Sequence, residues 1–154
     1  MAAAFGVKLA KPDVPVFSVV GDGSFLFSGP QPLWSISRYK SPITVMVLNN
    51  RSYNNERNRI WGFGGGEQLH RGVDMTCFNG SPNVDFTKTA AGFGVEGETI
   101  TDPSKIREAL DRSKRANIEG RPYFLEAVIA RDGIGAASEW YPPFSVADLR
   151  TKKV

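Results

Sequence analysis

At 154 residues the chain is long enough for one domain with a sizeable core, and 41% hydrophobic with 23% charged residues is the balance of an ordinary globular protein. A formal charge of +3 with no dense Lys/Arg run argues against nucleic acid or a membrane surface as partner. The lone Cys77 excludes an internal disulfide framework, and no stretch reaches the roughly 18 apolar residues of a membrane span, so a reducing, cytoplasmic setting is expected.

Taken in order, residues 2–10 read as a helix stopped at Lys11-Pro12-Asp13, since Pro12 disfavours helical geometry in the residue before it. No Ser, Thr, Asp or Asn precedes it as a cap. A chain starting inside a helix is expected to be the C-terminal piece of a longer polypeptide, or one subunit of a split protein. Residues 16–20 (VFSVV) form a candidate buried strand, and Gly21-Asp22-Gly23-Ser24 reads as a tight turn. A helix is expected over residues 30–39, with Pro30 and Pro32 in its first turn and Leu33, Trp34 and Ile36 facing inward. Residues 43–48 (ITVMVL) are continuously apolar, the pattern of a strand covered on both faces in a parallel sheet.

Residues 51–61 read as a polar loop followed by a short helix, with Arg51, Arg57 and Arg59 as surface residues or, alternatively, anion-binding groups. Residues 62–66 are a glycine-rich connection; they follow no strand, which a dinucleotide fingerprint requires. His70, the only histidine, reads as a surface residue. Asp85 is expected to cap a helix through Phe86, Ala90 and Phe93, ended by Gly92 and Gly94, with a short strand over residues 95–99. Asp102-Pro103 opens a further helix with Ile106, Ala109 and Leu110 inside, and residues 123–130 form the last core strand. Alternating strands and helices give an α/β class: a three-layer sandwich with a mostly parallel sheet and helices on both faces. The domain is expected to span residues 1–132. Residues 133–154 form a tail with Trp140, Tyr141 and Phe144 that packs on the domain or a partner subunit.

The chemistry concentrates at the ends of the first two strands. A Gly-Asp-Gly turn alone, or an Asn-Asn pair alone, has an ordinary backbone explanation. Together they say more, because a right-handed crossover makes the strands parallel and brings Asp22 and the Asn49-Asn50 pair to one sheet edge. A carboxylate, an amide oxygen and a backbone carbonyl are hard donors suited to Mg²⁺ or Ca²⁺ rather than zinc. Gly21 and Gly23 let the backbone approach a diphosphate closely, and a following helix N-terminus favours anions.

Gly21-Asp22-Gly23-Ser24, about two dozen residues, and then Asn49-Asn50 resembles the diphosphate-binding motif of thiamine-diphosphate-dependent enzymes, in the group of acetolactate synthase, benzoylformate decarboxylase and oxalyl-CoA decarboxylase. Residues 6–13 (GVKLAKPD) and 38–42 (RYKSP) resemble the approaches to the two strands in that family. The resemblance implies a thiamine-diphosphate-binding fold with thiamine diphosphate and Mg²⁺ as cofactors. It implies Asp22, Asn50 and the Ser52 carbonyl as metal ligands; one extra residue between Ser24 and Pro42 leaves Asn49 as the alternative to Asn50. Gly21, Gly23, Ser24 and Tyr53 would lie along the cofactor, and Glu56 matches an acidic position facing the substrate in some 2-oxo acid decarboxylases; the competing reading of Glu56 is a solvated helix-start residue.

The family pattern further implies a carbon–carbon lyase or transferase acting on a small 2-oxo acid or acyl-CoA. Its partner is a pyrimidine-binding domain, on the same or another chain, that supplies the activating glutamate within a homodimer or homotetramer. Without that partner the chain is expected to be inactive. The alternatives are the small diphosphate-binding subunit of a split decarboxylase and a non-catalytic module of the same fold. Retention of Asp22, Asn49 and Asn50 argues against the last, since buried polar ligands cost energy when unsatisfied.

Overall fold

The computed structural model describes residues 1–56 and 77–131. The expected connection at 62–66, Arg57, Arg59, His70 and the tail with Trp140, Tyr141 and Phe144 lie outside them. The elements are α1 (Ala2–Ala10), β1 (Val16–Gly21), α2 (Asp22–Ser28), α3 (Pro32–Arg38), β2 (Ile43–Asn49), α4 (Phe86–Gly92), β3 (Gly97–Ile100), a 3₁₀ turn (Pro103–Lys105), α5 (Ile106–Ile118) and β4 (Tyr123–Val128).

The strands form one parallel sheet in the order β1-β2-β4-β3. Alternation along each strand divides the core in two. Val16, Val45, Val47 and Phe124 meet Phe25 of α2, Leu33 and Ile36 of α3, and Phe86 and Ala90 of α4 on one face. Met46, Tyr123, Leu125 and Ile100 meet Ile106, Ala109, Leu110 and Ala116 of α5 on the other. This is the expected α/β sandwich with helices on both faces. No helix among the described residues is long and apolar enough to cross a membrane.

The helix starts follow their local chemistry. Asp85 Oδ1 accepts from the Lys88 backbone N–H at 2.8 Å and Asp102 Oδ1 from that of Ser104 at 2.9 Å, the caps their positions call for. α1 begins with no side-chain cap and is fastened at its far end, where the buried Lys8 donates through its ammonium to the Val14 carbonyl at 2.9 Å.

Three expectations are corrected. The tight turn expected at residues 21–24 is a helix start: Asp22 opens α2, which Phe25 drives because its buried ring packs edge-on to Phe86 and Phe124 at 5.3 and 5.9 Å. Trp34 faces outward, 54% exposed, with the Arg38 guanidinium 5.7 Å from its ring centre; the seven-residue α3 has room for only Leu33 and Ile36 on its inner side. β1 is not buried on both faces. It is the sheet edge, α5 lies over β2, β4 and β3, and among the described residues nothing covers Phe17 and Val19, which are 50% and 57% exposed.

Candidate cofactor site

Parallel pairing sets Gly21 beside Leu48, so β1 and β2 end together. Asp22 follows one tip and Asn49-Asn50 the other, and a cavity of about 290 Å³ opens between them, lined by Asp22, Gly23, Ser24, Asn50, Ser52, Tyr53 and Glu56 among others. Asp22 is 3% exposed, and its Oδ2 accepts the Ser52 backbone N–H at 3.1 Å. The same N–H is shared with Asn50 Oδ1 at 3.0 Å, so one donor ties the carboxylate and the amide oxygen together. Burial pushes the Asp22 carboxyl above its ordinary range, against the backbone N–H groups of Gly23 and Ser52 that favour its charged form. The Asn79 amide also favours that form, although its Nδ2 lies outside hydrogen-bond geometry and is buried with no partner among the described residues.

The chain beyond β2 turns sharply to make this arrangement. Arg51 adopts φ +58°, a left-handed conformation that costs a non-glycine residue about 1 kcal/mol or more. The turn is pinned from below by residues 77–79: Tyr53 N–H donates to the Cys77 carbonyl and Asn79 N–H to the Arg51 carbonyl, both at 2.8 Å. Asn54 Nδ2 donates to the Arg131 carbonyl at 2.8 Å, linking the far side of the turn to the chain just beyond β4. Gly23 is fixed by sterics: a Cβ there would stand 2.5 Å from Cδ1 and Cε1 of the Tyr53 ring.

The two asparagines have different surroundings. Successive residues at a strand end point to opposite faces, and Asn49, 3% exposed, turns its Nδ2 to Glu126 Oε1 at 2.6 Å. Asn49 is thus absent from the cavity that Asn50 lines, and it borders a second one with Glu126 and Thr99. Of the residues singled out from the sequence, Gly21, Asp22, Gly23, Ser24, Asn50, Ser52, Tyr53 and Glu56 converge on one cavity, with Asn49 behind it. Asn79 and Glu126 were not foreseen. Asn79 lies in a stretch with no periodic pattern, and Glu126 interrupts an apolar run; a lone acid inside a buried strand was the one available signal for it.

The donors at Asp22 and Asn50 are hard oxygens, and the Ser52 hydroxyl is buried there with no partner among the described residues. Those residues hold no cluster of three or more His, Cys, Asp and Glu, so a cation here would rest on one carboxylate with amide and backbone oxygens.

The family described as thiamine pyrophosphate enzyme, C-terminal TPP binding domain, matches residues 1–127. The chain belongs to that family. As a TPP-binding domain it is 34% identical over 127 residues to a probable acetolactate synthase large subunit of Methanocaldococcus jannaschii, a match covering 82% of this chain and 20% of the relative. It is 32% identical over 123 residues to a 3D-(3,5/4)-trihydroxycyclohexane-1,2-dione hydrolase of Clostridium tetani, covering 77% and 19%. Among solved structures, the thiamine diphosphate-dependent 4-hydroxybenzoylformate decarboxylase of Rhodococcus jostii RHA1 superposes with a TM-score of 0.68 at 31% identity, over 84% of this chain and 22% of that one. The TPP-binding domain described here therefore spans about a fifth of the length of the relatives it matches.

Proposed function

We propose that this domain anchors the diphosphate of thiamine diphosphate through Mg²⁺, with Asp22, the Asn50 amide oxygen and the Ser52 backbone carbonyl as protein ligands. The observation that carries this reading is the single Ser52 N–H shared by Asp22 Oδ2 and Asn50 Oδ1 at the mouth of one cavity. Among the described residues buried Asp22 has no cationic side chain as a hydrogen-bond partner, and a divalent ion would supply positive charge there. Magnesium takes one or two carboxylates and completes its shell with phosphate oxygens and water, which fits a site with a single Asp.

When bound, thiamine diphosphate supplies the carbanion chemistry that cleaves or forms the bond next to a 2-oxo group. The chain's own residues bind and orient. Gly21, Gly23 and Ser24 line the diphosphate, the Tyr53 ring lies over Gly23 along the cofactor's path, and exposed Glu56 stands at the cavity where a substrate acid or carbonyl would face it. In this reading the substrate is a small 2-oxo acid or acyl-CoA. The activating glutamate comes from a pyrimidine-binding domain, on the same or another chain, within a homodimer or homotetramer. The name of one relative, a 4-hydroxybenzoylformate decarboxylase, supports the 2-oxo acid over the acyl-CoA.

Titration calorimetry of thiamine diphosphate, with and without Mg²⁺, tests the anchor. Heat that depends on Mg²⁺ in the wild type and vanishes in Asp22→Ala is expected. Equal heats in the two proteins would overturn the assignment.

A further inference from the structure

We propose that Glu126 is a positioning residue for this site, holding the Arg51–Ser52 turn in place through Asn49; the idea rests on the Asp22–Asn50 cavity being the cofactor anchor. Glu126 lies on β4, 5% exposed, and does not border that cavity. Both of its oxygens are engaged: Oε1 accepts from Asn49 Nδ2 at 2.6 Å and Oε2 from the Thr99 hydroxyl at 2.7 Å. An acid inside a core strand carries a desolvation penalty that two neutral donors offset only in part, so its presence asks for a role beyond packing.

The role follows from what a carboxylate cannot do. It accepts hydrogen bonds and donates none, so the Asn49 amide must present its NH₂ to Glu126 and cannot flip. Its oxygen is thereby aimed the other way, where Oδ1 accepts the Arg51 backbone N–H at 2.9 Å. That bond stabilises the left-handed Arg51, and the turn it makes delivers the next N–H, that of Ser52, to Asp22 and Asn50. Thr99, Glu126, Asn49, Arg51 and Ser52 thus form one chain from the far side of the sheet to the cavity. Each link is a hydrogen bond or a peptide unit. Loss of an outer partner that orients a ligand typically costs about 10–100-fold in metal affinity.

The test uses the full chain. Amide hydrogen exchange of Arg51 and Ser52 by NMR is measured beside calorimetry of thiamine diphosphate with Mg²⁺. Glu126→Leu is expected to lose about tenfold or more in protection at both amides, with Phe124 and Leu125 in β4 unchanged, and to weaken cofactor binding by about 10–100-fold. Glu126→Gln, whose side chain can still accept from Asn49 but can also donate to it and so no longer forbids the flip, should rescue both readouts in part, to between Glu126→Leu and wild type. A purely structural role would instead lower protection along all of β4 and show no rescue by glutamine. Wild-type protection and affinity in Glu126→Leu would overturn the proposal. If that variant does not fold, Asn49→Ala cuts the same chain one link later, and unchanged protection at Arg51 there is equally fatal. The anchor itself fails separately: binding that Asp22→Ala leaves intact removes the cofactor reading, while exchange at Arg51 and Ser52 still decides whether Glu126 holds the turn.

Discussion

Asp22 is a carboxylate placed where folding alone would not place one: 3% exposed and with its charged form disfavoured by burial. Such a group exchanges stability for readiness to bind a cation. Asp22→Asn keeps an oxygen able to accept the Ser52 N–H and removes the buried charge. The variant is expected to unfold at higher denaturant concentration than the metal-free wild type while losing Mg²⁺-dependent binding of thiamine diphosphate. Paired urea melts and calorimetry check both halves, and a variant that is less stable yet still binds would contradict the argument. At Gly23, one methyl group would displace the Tyr53 ring. Gly23→Ala should therefore leave the sheet intact and weaken cofactor binding, which near-ultraviolet circular dichroism of the tyrosine and a binding isotherm would report together. Asp22 and the asparagine pair were readable in advance because a crossover joins two local signals, whereas Ser52, Tyr53 and Glu56 came from the family resemblance alone. Asn79 and Glu126 were not readable: Asn49 and Glu126 meet across 77 residues of chain, and no pattern within either segment announces the pairing.

Elements owe their positions to a few well-placed side chains. α2 has seven residues and no side-chain cap, so its anchor is Phe25, wedged edge-on against Phe86 and Phe124. Phe25→Ala should cost about 3–5 kcal/mol, read from the shift of a urea unfolding curve; a loss under about 1 kcal/mol would mean α2 is held by something else. β3 is tied to α5 by Arg112, whose Nε and Nη2 reach the two Glu98 oxygens at 2.7 and 2.6 Å, with the Tyr123 hydroxyl donating to the same carboxylate at 3.0 Å. The Arg112 hydrogen bonds hold the Glu98 carboxyl below its ordinary 4.5. A carboxyl lowered in the folded state contributes stability that is complete above its unfolded value and lost as pH falls toward the folded one. The stability gap between wild type and Glu98→Gln should accordingly be constant at about pH 6 and close as pH falls below about 4.5. A gap that widens on acidification would refute the pairing. Strands and caps were legible because apolar runs and Asp starts are strong signals. α2 was hidden because Gly-Asp-Gly-Ser reads equally well as a turn. Trp34 was misassigned because period alone does not say how wide a buried stripe a two-turn helix can afford.

At the scale of the molecule, the sheet has one edge at β3 and another at β1, and among the described residues β1 has no strand beyond it. Its Phe17 and Val19 give that edge an apolar outer face, and an unpaired apolar edge is a template for another strand. The chain on its own is expected to self-associate as its concentration rises, and Val19→Lys to suppress this; sedimentation velocity over a concentration series decides, with identical profiles counting against the edge. The fold class was legible because alternating strand and helix patterns admit few topologies. One-sided burial of β1 was not, since an edge strand in an α/β protein has the same composition as a central one. The opposed asparagines have a consequence for how this chain tolerates changes of length. Pairing in the sheet fixes where β2 ends, so an added residue between α2 and α3, near Gly29 with its φ of +78°, bulges outward and leaves the amide at position 50 where it was. A deletion of one of the two asparagines after Leu48 instead leaves the other at the step that faces Glu126 and brings Arg51 to the step that faces the cavity. Length is forgiven in the connection and punished at the strand tip.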